Sequence, residues 1–226
     1  MKRILVTGAL GQIGSELTPA LRERCGADRV LATDVRMRSS SGQEVDGPFE
    51  YLDCTYSHQV QEIIRKYEVD AIYHLAALLS AVAEERPHIA WEVNMVGVYN
   101  VLEAARQNRC AVFFPSSIGA FGPSTPRERT PQETIERPVT MYGVTKVAGE
   151  LLCDYYHQRF DVDTRGVRYP GVISHVALPG GGTTDYAVEM FYGAVRHKSY
   201  TCFLREDTRL DMMYMPDAVK AAVEVM

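Results

Sequence analysis

No stretch of this sequence approaches the roughly 18 consecutive apolar residues of a membrane-spanning helix, so a membrane is not an expected partner. Met1-Lys2-Arg3 runs at once into Ile4-Leu5-Val6-Thr7-Gly8, and the glycines and charges that follow interrupt any apolar core of a secretion signal. Cysteine is sparse. The five residues (Cys25, Cys54, Cys110, Cys153, Cys202) are odd in number and never spaced as CxxC. That pattern fits neither a disulfide framework nor a structural zinc site, and points to a reducing, cytoplasmic compartment with no metal expected. Basic residues are outnumbered, 24 Lys plus Arg against 29 Asp plus Glu, giving a formal net charge of −5. A mildly acidic chain is not built to neutralise a phosphate backbone, so nucleic acid is excluded as a partner. Internal repeats and low-complexity segments are absent too.

What remains is an ordinary globular composition, 46% hydrophobic and 23% charged over 226 residues. Short β-branched runs alternate with longer amphipathic stretches. Ile4–Val6, residues 29–33, 70–74, 111–114 and 163–168 read as strands, mostly as continuous apolar runs, the mark of strands covered on both faces. Helical patterns fall at about 12–24, 56–66, 87–107 and 141–160. In the last, Val144, Val147, Ala148, Leu151, Leu152 and Tyr155 form one apolar stripe. Such alternation predicts a parallel, doubly wound α/β sheet with right-handed crossovers. Two long loops stand out: 119–140, with four prolines, and 174–186, with Pro179-Gly180-Gly181-Gly182-Thr183-Thr184-Asp185. Loops of that length in a compact domain tend to be functional.

The first strand runs into Gly8-Ala9-Leu10-Gly11-Gln12-Ile13-Gly14, a GxxGxxG turn opening a helix. Glycines let the backbone turn tightly and approach a pyrophosphate, and the helix N-terminus presents free N–H groups to it. Asp34 closes the second strand, twenty residues after Gly14, where a carboxylate accepts from an adenosine ribose. Its charge favours NAD over NADP, although Arg36 and Arg38 stand nearby. Leu75-Ala76-Ala77 follows His74 with small residues, as a loop lying against a cofactor requires. His74 itself reads as a packed strand-end histidine.

Tyr142 and Lys146 form a YxxxK pair, one turn apart on a single helix face. A tyrosine loses its proton near pH 10, and lowering that by three units needs about 4 kcal/mol. One ammonium at about 4 Å in an effective dielectric near 20 supplies that much, so Lys146, helped by a positive nicotinamide, is an adequate activator. Ser116-Ser117 lies at the carboxyl edge of the fourth strand read here, where open α/β sheets bind ligands, and a hydroxyl there can hold a substrate alkoxide.

GxxGxxG, Asp34, Ser116-Ser117 and YxxxK, in this order and spacing, resemble the extended short-chain dehydrogenase/reductase superfamily. The resemblance implies a Rossmann-like fold and NAD as cofactor. It implies Ser117, with Ser116 close by, Tyr142 and Lys146 as the catalytic set. Asn94 would steady a proton-relay water, Asp53 would touch the adenine, and Tyr169 in Tyr169-Pro170-Gly171 would lie beside the nicotinamide. Residues 115–123, 168–171, 179–186, Thr208-Arg209-Leu210 and Met212-Met213-Tyr214 resemble the short-chain type of L-threonine 3-dehydrogenase. That likeness implies oxidation of a small amino-acid substrate, with Ser80, Thr183 and Thr184 as candidates to hold its ends. Plain loop hydrogen bonds explain those three hydroxyls equally well. The rival readings are a sugar-nucleotide epimerase or reductase and a non-catalytic NAD-binding sensor. A homodimer through the 87–107 and 141–160 helices is implied as well.

By this reading residues 1–170 form the NAD-binding domain with its catalytic helix. Residues 171–226 form a small, incomplete substrate lobe interleaved with the end of the sheet. The sequence stops at Met226 inside a helical pattern without a capping signal, whereas the family resembled carries a further C-terminal stretch.

Overall fold

The computed structural model describes residues 3–37, 46–178 and 180–226, so Arg38 and Pro179 lie outside the described residues. Six strands form one parallel sheet: β1 (Ile4–Thr7), β2 (Val30–Asp34), β3 (Phe49–Tyr51), β4 (Ala71–His74), β5 (Ala111–Ser117) and β6 (Thr164–Tyr169). Their spatial order is β3-β2-β1-β4-β5-β6, with every neighbouring pair parallel. Ile4 of β1 sits opposite both Val30 of β2 and Ala71 of β4, so the order reverses beside β1. All five strands expected from the sequence are present. β3 is an addition, three residues long and only partly buried.

Alternation along the strands sorts two cores. Leu5, Leu31, Ile72, Val112 and Phe114 face one layer, made by α2 (Ser57–Lys66), α5 (Gly97–Asn108) and α6 (Met141–Phe160). Ile4, Val6, Val30, Ala32, Ala71, Tyr73 and Phe113 face the other, made by α1 (Gly14–Cys25) and α8 (Met215–Val225). Helices thus cover both faces of the sheet, a Rossmann-like α/β fold. The expected 87–107 helix is broken into α4 (Pro87–Trp91), a π-helical turn at Glu92–Val96, and α5. A short α3 (Ser80–Glu85) precedes it in what reads from sequence as loop.

β7 (Gly171–Ile173) pairs with β8 (Met212–Tyr214) in a separate two-stranded sheet, and α7 (Tyr186–His197) lies between them in the chain. Met215, Ala218 and Ala222 of α8 are completely buried in the second core, under the main sheet. No helix among the described residues is long and apolar enough to cross a membrane.

Candidate active site

The glycine turn and the loop after β4 meet where the strand order reverses, at the carboxyl edge of the sheet. Gly8 has φ +66°, the left-handed region, and a Cβ there would lie 2.7 Å from Ala76 N. A Cβ on Gly14 would lie 2.5 Å from Gly8 O. Both positions need bare backbone to bring turn, helix and neighbouring loop together. At Gly11 a Cβ would meet only Gly8 O, so its bare face is open on the side away from the packing. No side chain caps α1, and although Ser15 N and Glu16 N donate back to Gly11 O and Ile13 O, the helix still begins at the turn, where its dipole favours an anion. The cradle therefore fits a dinucleotide pyrophosphate. The Gln12 side chain turns elsewhere, donating to Val172 O of β7 at 3.0 Å.

Leu75 N donates to Thr7 O, and Thr7 Oγ1 sits 2.9 Å from His74 Nδ1, so Leu75-Ala76-Ala77 is tied to β1. Asp34 is buried at the end of β2 and accepts from Leu10 N and from Arg36. Asp53 stands just beyond β3, but its Oδ1 closes a local turn with Thr55 N and Thr55 Oγ1.

α6 begins at Thr140, whose hydroxyl accepts from Gly143 N, a helix cap. Glu84 of α3 accepts from Met141 N and adds negative charge at the same terminus. This capping presents Tyr142 beside Ser117, whose Oγ is fixed by Gly119 N at 3.0 Å. Lys146 is buried and donates to Pro115 O at 2.7 Å, its Nζ 5.4 Å from the centre of the Tyr142 ring. Desolvation pushes the Tyr142 hydroxyl up to about 12, against a hydrogen bond from Ser117 that lowers it. Desolvation draws Lys146 down to about 8, with Glu150 the main group opposing it. The lysine donates to a carbonyl, and burial is the largest influence on the Tyr142 hydroxyl.

Ser116 is not brought to this set. Successive side chains of β5 point to opposite faces, and Ser116 donates to Glu150 on the body of α6. The Tyr169 side chain is buried among the core residues on the α8 side, its hydroxyl donating to Ala218 O at 2.7 Å. Asn94 lies inward on the π-helical turn. Its oxygen accepts from Leu78 N, and its nitrogen donates to Leu78 O and Thr145 Oγ1. It ties the loop after β4 to the first turn of α6.

Of the substrate candidates, Ser80 and Thr183 are brought together, Thr183 N donating to Ser80 Oγ at 3.2 Å. The methyl of Thr184 packs against Gly171. Sequence reasoning missed Asp185, which is buried and accepts from Gly181 N and Gly182 N, both at 2.8 Å. It also missed the Glu150–Arg168–Glu136 cluster, where Arg168 pairs with both carboxylates and donates to Gln132 O, anchoring the 119–140 loop on α6. Glu150 stands four residues after Lys146, a spacing that puts it on the same helix face. An open cleft of about 770 Å³ lined by Arg3, Asp28, Arg29 and Glu68 lies at the opposite, amino edge of the strands, away from this chemistry.

The sequence pattern of the NAD dependent epimerase/dehydratase family matches residues 4–226. The chain belongs to that family. An uncharacterized epimerase/dehydratase of Staphylococcus aureus (strain USA300) is 57% identical over 226 residues, covering 100% of this chain and 70% of the relative. The X-ray structure of an L-threonine dehydrogenase from Clostridium difficile is similar with 56% identity and a TM-score of 0.93. It covers 99% of this chain and 70% of that one. A monomeric L-threonine 3-dehydrogenase from a metagenome matches with 46% identity and a TM-score of 0.93, over 98% of this chain and 70% of that one. As a member of this epimerase/dehydratase family the protein is an NAD-dependent oxidoreductase.

Proposed function

We propose that the protein oxidises L-threonine at its β-carbon to 2-amino-3-ketobutyrate. The observation that carries this reading is Tyr142 held beside Ser117 at the carboxyl edge of the sheet, with the Ser80–Thr183 contact on the neighbouring α3, together with the likeness to L-threonine dehydrogenases. Gly8, Gly11 and Gly14, with the backbone of Gln12 and Ile13, would hold the pyrophosphate. Asp34 would take the adenosine ribose, Asp53 would border the adenine, and Leu75-Ala76-Ala77 would lie along the cofactor. NAD⁺, when bound, supplies the hydride acceptor and a fixed positive charge. Tyr142 would take the β-hydroxyl proton as its phenolate, Lys146 and the bound cofactor's positive charge favouring that deprotonated form, and Ser117 would hydrogen-bond the reacting oxygen. Asn94 acts through α6 as a positioning residue. Ser80, Thr183 and Thr184 border the amino-acid end of the substrate.

Residues 1–170 serve as the NAD-binding domain, and residues 171–226 contribute substrate contacts while α8 returns to the sheet. The five cysteines are free, Cys54, Cys110 and Cys153 being buried, which agrees with a reducing, cytoplasmic setting. A homodimer would form through α4, α5 and α6. Reduced-nicotinamide absorbance with NAD⁺ and L-threonine tests the reaction, with a UDP-sugar as the parallel substrate. Turnover of threonine is expected, and Tyr142→Phe should lower it by about 10²- to 10⁴-fold. Turnover of the UDP-sugar alone favours an epimerase, cofactor binding without any turnover favours a sensor, and undiminished activity in Tyr142→Phe sinks the mechanism.

A further inference from the structure

The proposed reaction uses Lys146 but gives no role to the charges behind it. Lys146 and Glu150 lie one turn apart on α6 and rest on neighbouring residues of β5. Lys146 Nζ donates to Pro115 O at 2.7 Å, and Glu150 Oε1 accepts from Ser116 Oγ. Side chains four residues apart on a helix are neighbours, about 5–6 Å between Cβ atoms. Gly149 permits the close approach of α6 to β5, because a Cβ there would strike the Phe114 ring. Arg168 of β6 donates to Glu150 through Nε at 2.9 Å and Nη2 at 2.6 Å, and pairs with Glu136 of the 119–140 loop. These three side chains are 15–19% exposed. Two carboxylates thus share one guanidinium, which leaves one negative charge over. Lys146, more deeply buried, supplies the fourth charge that balances it. Its other neighbours do not. Phe114 of β5 and Tyr142 of α6 offer rings, burial keeps His74 of β4 neutral, and burial keeps the Cys153 thiol protonated.

We propose that Glu150 is a positioning residue for the reacting pair, keeping an anion one helical turn from Lys146 so that the lysine stays charged beside Tyr142. The inference rests on reading Tyr142 and Lys146 as that pair. A buried ammonium without a counter-charge gives up its proton. Desolvation already draws Lys146 down to about 8, with Glu150 the main group opposing it. Without that opposition the lysine becomes a neutral amine near neutral pH, and a neutral amine no longer favours the phenolate. Ser116 and Arg168 occupy the carboxylate, so Glu150 acts on the reaction through Lys146 and not by touching substrate.

The chain has five lysines, so NMR of protein labelled with carbon-13 at lysine Cε can follow each one, Lys146 being assigned by its loss in Lys146→Met. In the parent Lys146 should titrate at about 8. In Glu150→Gln it should titrate about one pH unit lower, the low end for an ion pair at this separation. Glu150→Asp, which keeps the charge, should stay close to the parent. With NAD⁺ and L-threonine the alkaline limb of kcat should move down in step in Glu150→Gln, with KM for threonine little changed. Where Glu150→Gln loses its native circular dichroism, Arg168→Gln decides, since removing the competing cation should move the Lys146 titration up. Lys146 titrating alike in parent and Glu150→Gln, or unmoved in Arg168→Gln, overturns the proposal. The NMR measurement needs neither substrate nor cofactor, so it holds whether or not threonine is turned over. Undiminished turnover in Tyr142→Phe instead overturns the reading of the reacting pair.

Discussion

His74 ends β4 almost completely buried, its Nδ1 2.9 Å from Thr7 Oγ1, with the Lys146 charge close by. Burial, with Lys146 adding to it, holds the imidazole down to about 3, against 6.5 for a free histidine. In between, the unfolded chain binds a proton that the folded one refuses. Stability therefore rises with pH across that window and is lost as pH falls below 6.5, by about 1.4 kcal/mol per unit. Above pH 5 the carboxylates have not begun to titrate strongly, so His74 should set the slope there. Urea unfolding at pH 7, 6 and 5 should show the midpoint falling, and His74→Asn should flatten that dependence. A parent protein equally stable at pH 7 and 5 contradicts this account. Lys146 behaves with the same sign at higher pH. Held down to about 8 from 10.5, it adds stability as pH rises through that range.

At the scale of elements, the parts legible in the sequence were those whose pattern outlasts a few residues. The four-residue and longer strands of the sheet, the glycine turn and the YxxxK helix all have such patterns. β3, β7 and β8 are three residues each, too short for a period of two to register, and α3 has six. α7 does carry Val188, Phe191 and Val195 at helical spacing, but no residue of it is buried, so the spacing marks no core face. The directions of the Ser116 and Tyr169 side chains are not legible for another reason: a motif fixes which residues stand in line, and only strand pleat and packing decide which way each points. Asp185 was missed because its partners are the backbone N–H groups of Gly181 and Gly182, which the sequence alone does not pair. Those two bonds, with Thr183 N on Ser80, hold the glycine loop against the start of α3. Asp185→Ala should therefore raise KM for the amino acid by roughly tenfold, one charged hydrogen bond's worth, while NAD⁺ affinity stays unchanged. Steady-state kinetics and a cofactor titration on the same preparation separate the two. A loss of NAD⁺ affinity equal to the rise in KM would place the loop in the cofactor site instead.

At the scale of the whole molecule, α6 turns part of its apolar stripe outward, while Leu152 of the same stripe packs against the core. Val144, Leu151 and Tyr155 are 42%, 63% and 53% exposed, while Lys146, Gly149, Cys153 and Tyr156 on another face are buried. The sheet-facing side is made of small and chemically committed residues. Val144, Leu151 and Tyr155 are left over from that packing. A helix apolar on both faces is normally covered on both. α4 and α5 add Trp91 and Tyr99, each about half exposed, and α5 packs against α6. A second copy of the chain, laying the same helices against these, would bury the combined face in a two-fold contact, and about 800 Å² per partner is what a stable interface needs. The monomeric metagenome relative shows that this fold does not require pairing, so the exposed stripe has to carry the argument. Sedimentation over a range of concentrations should show a dimer dissociating to a monomer. Leu151→Glu should shift it fully to monomer without loss of thermal stability, because Leu151 is too exposed to support its own core. If the parent sediments as a monomer at every concentration, the stripe has another occupant. If Leu151→Glu unfolds the chain, α6 is packed more deeply than its exposure indicates.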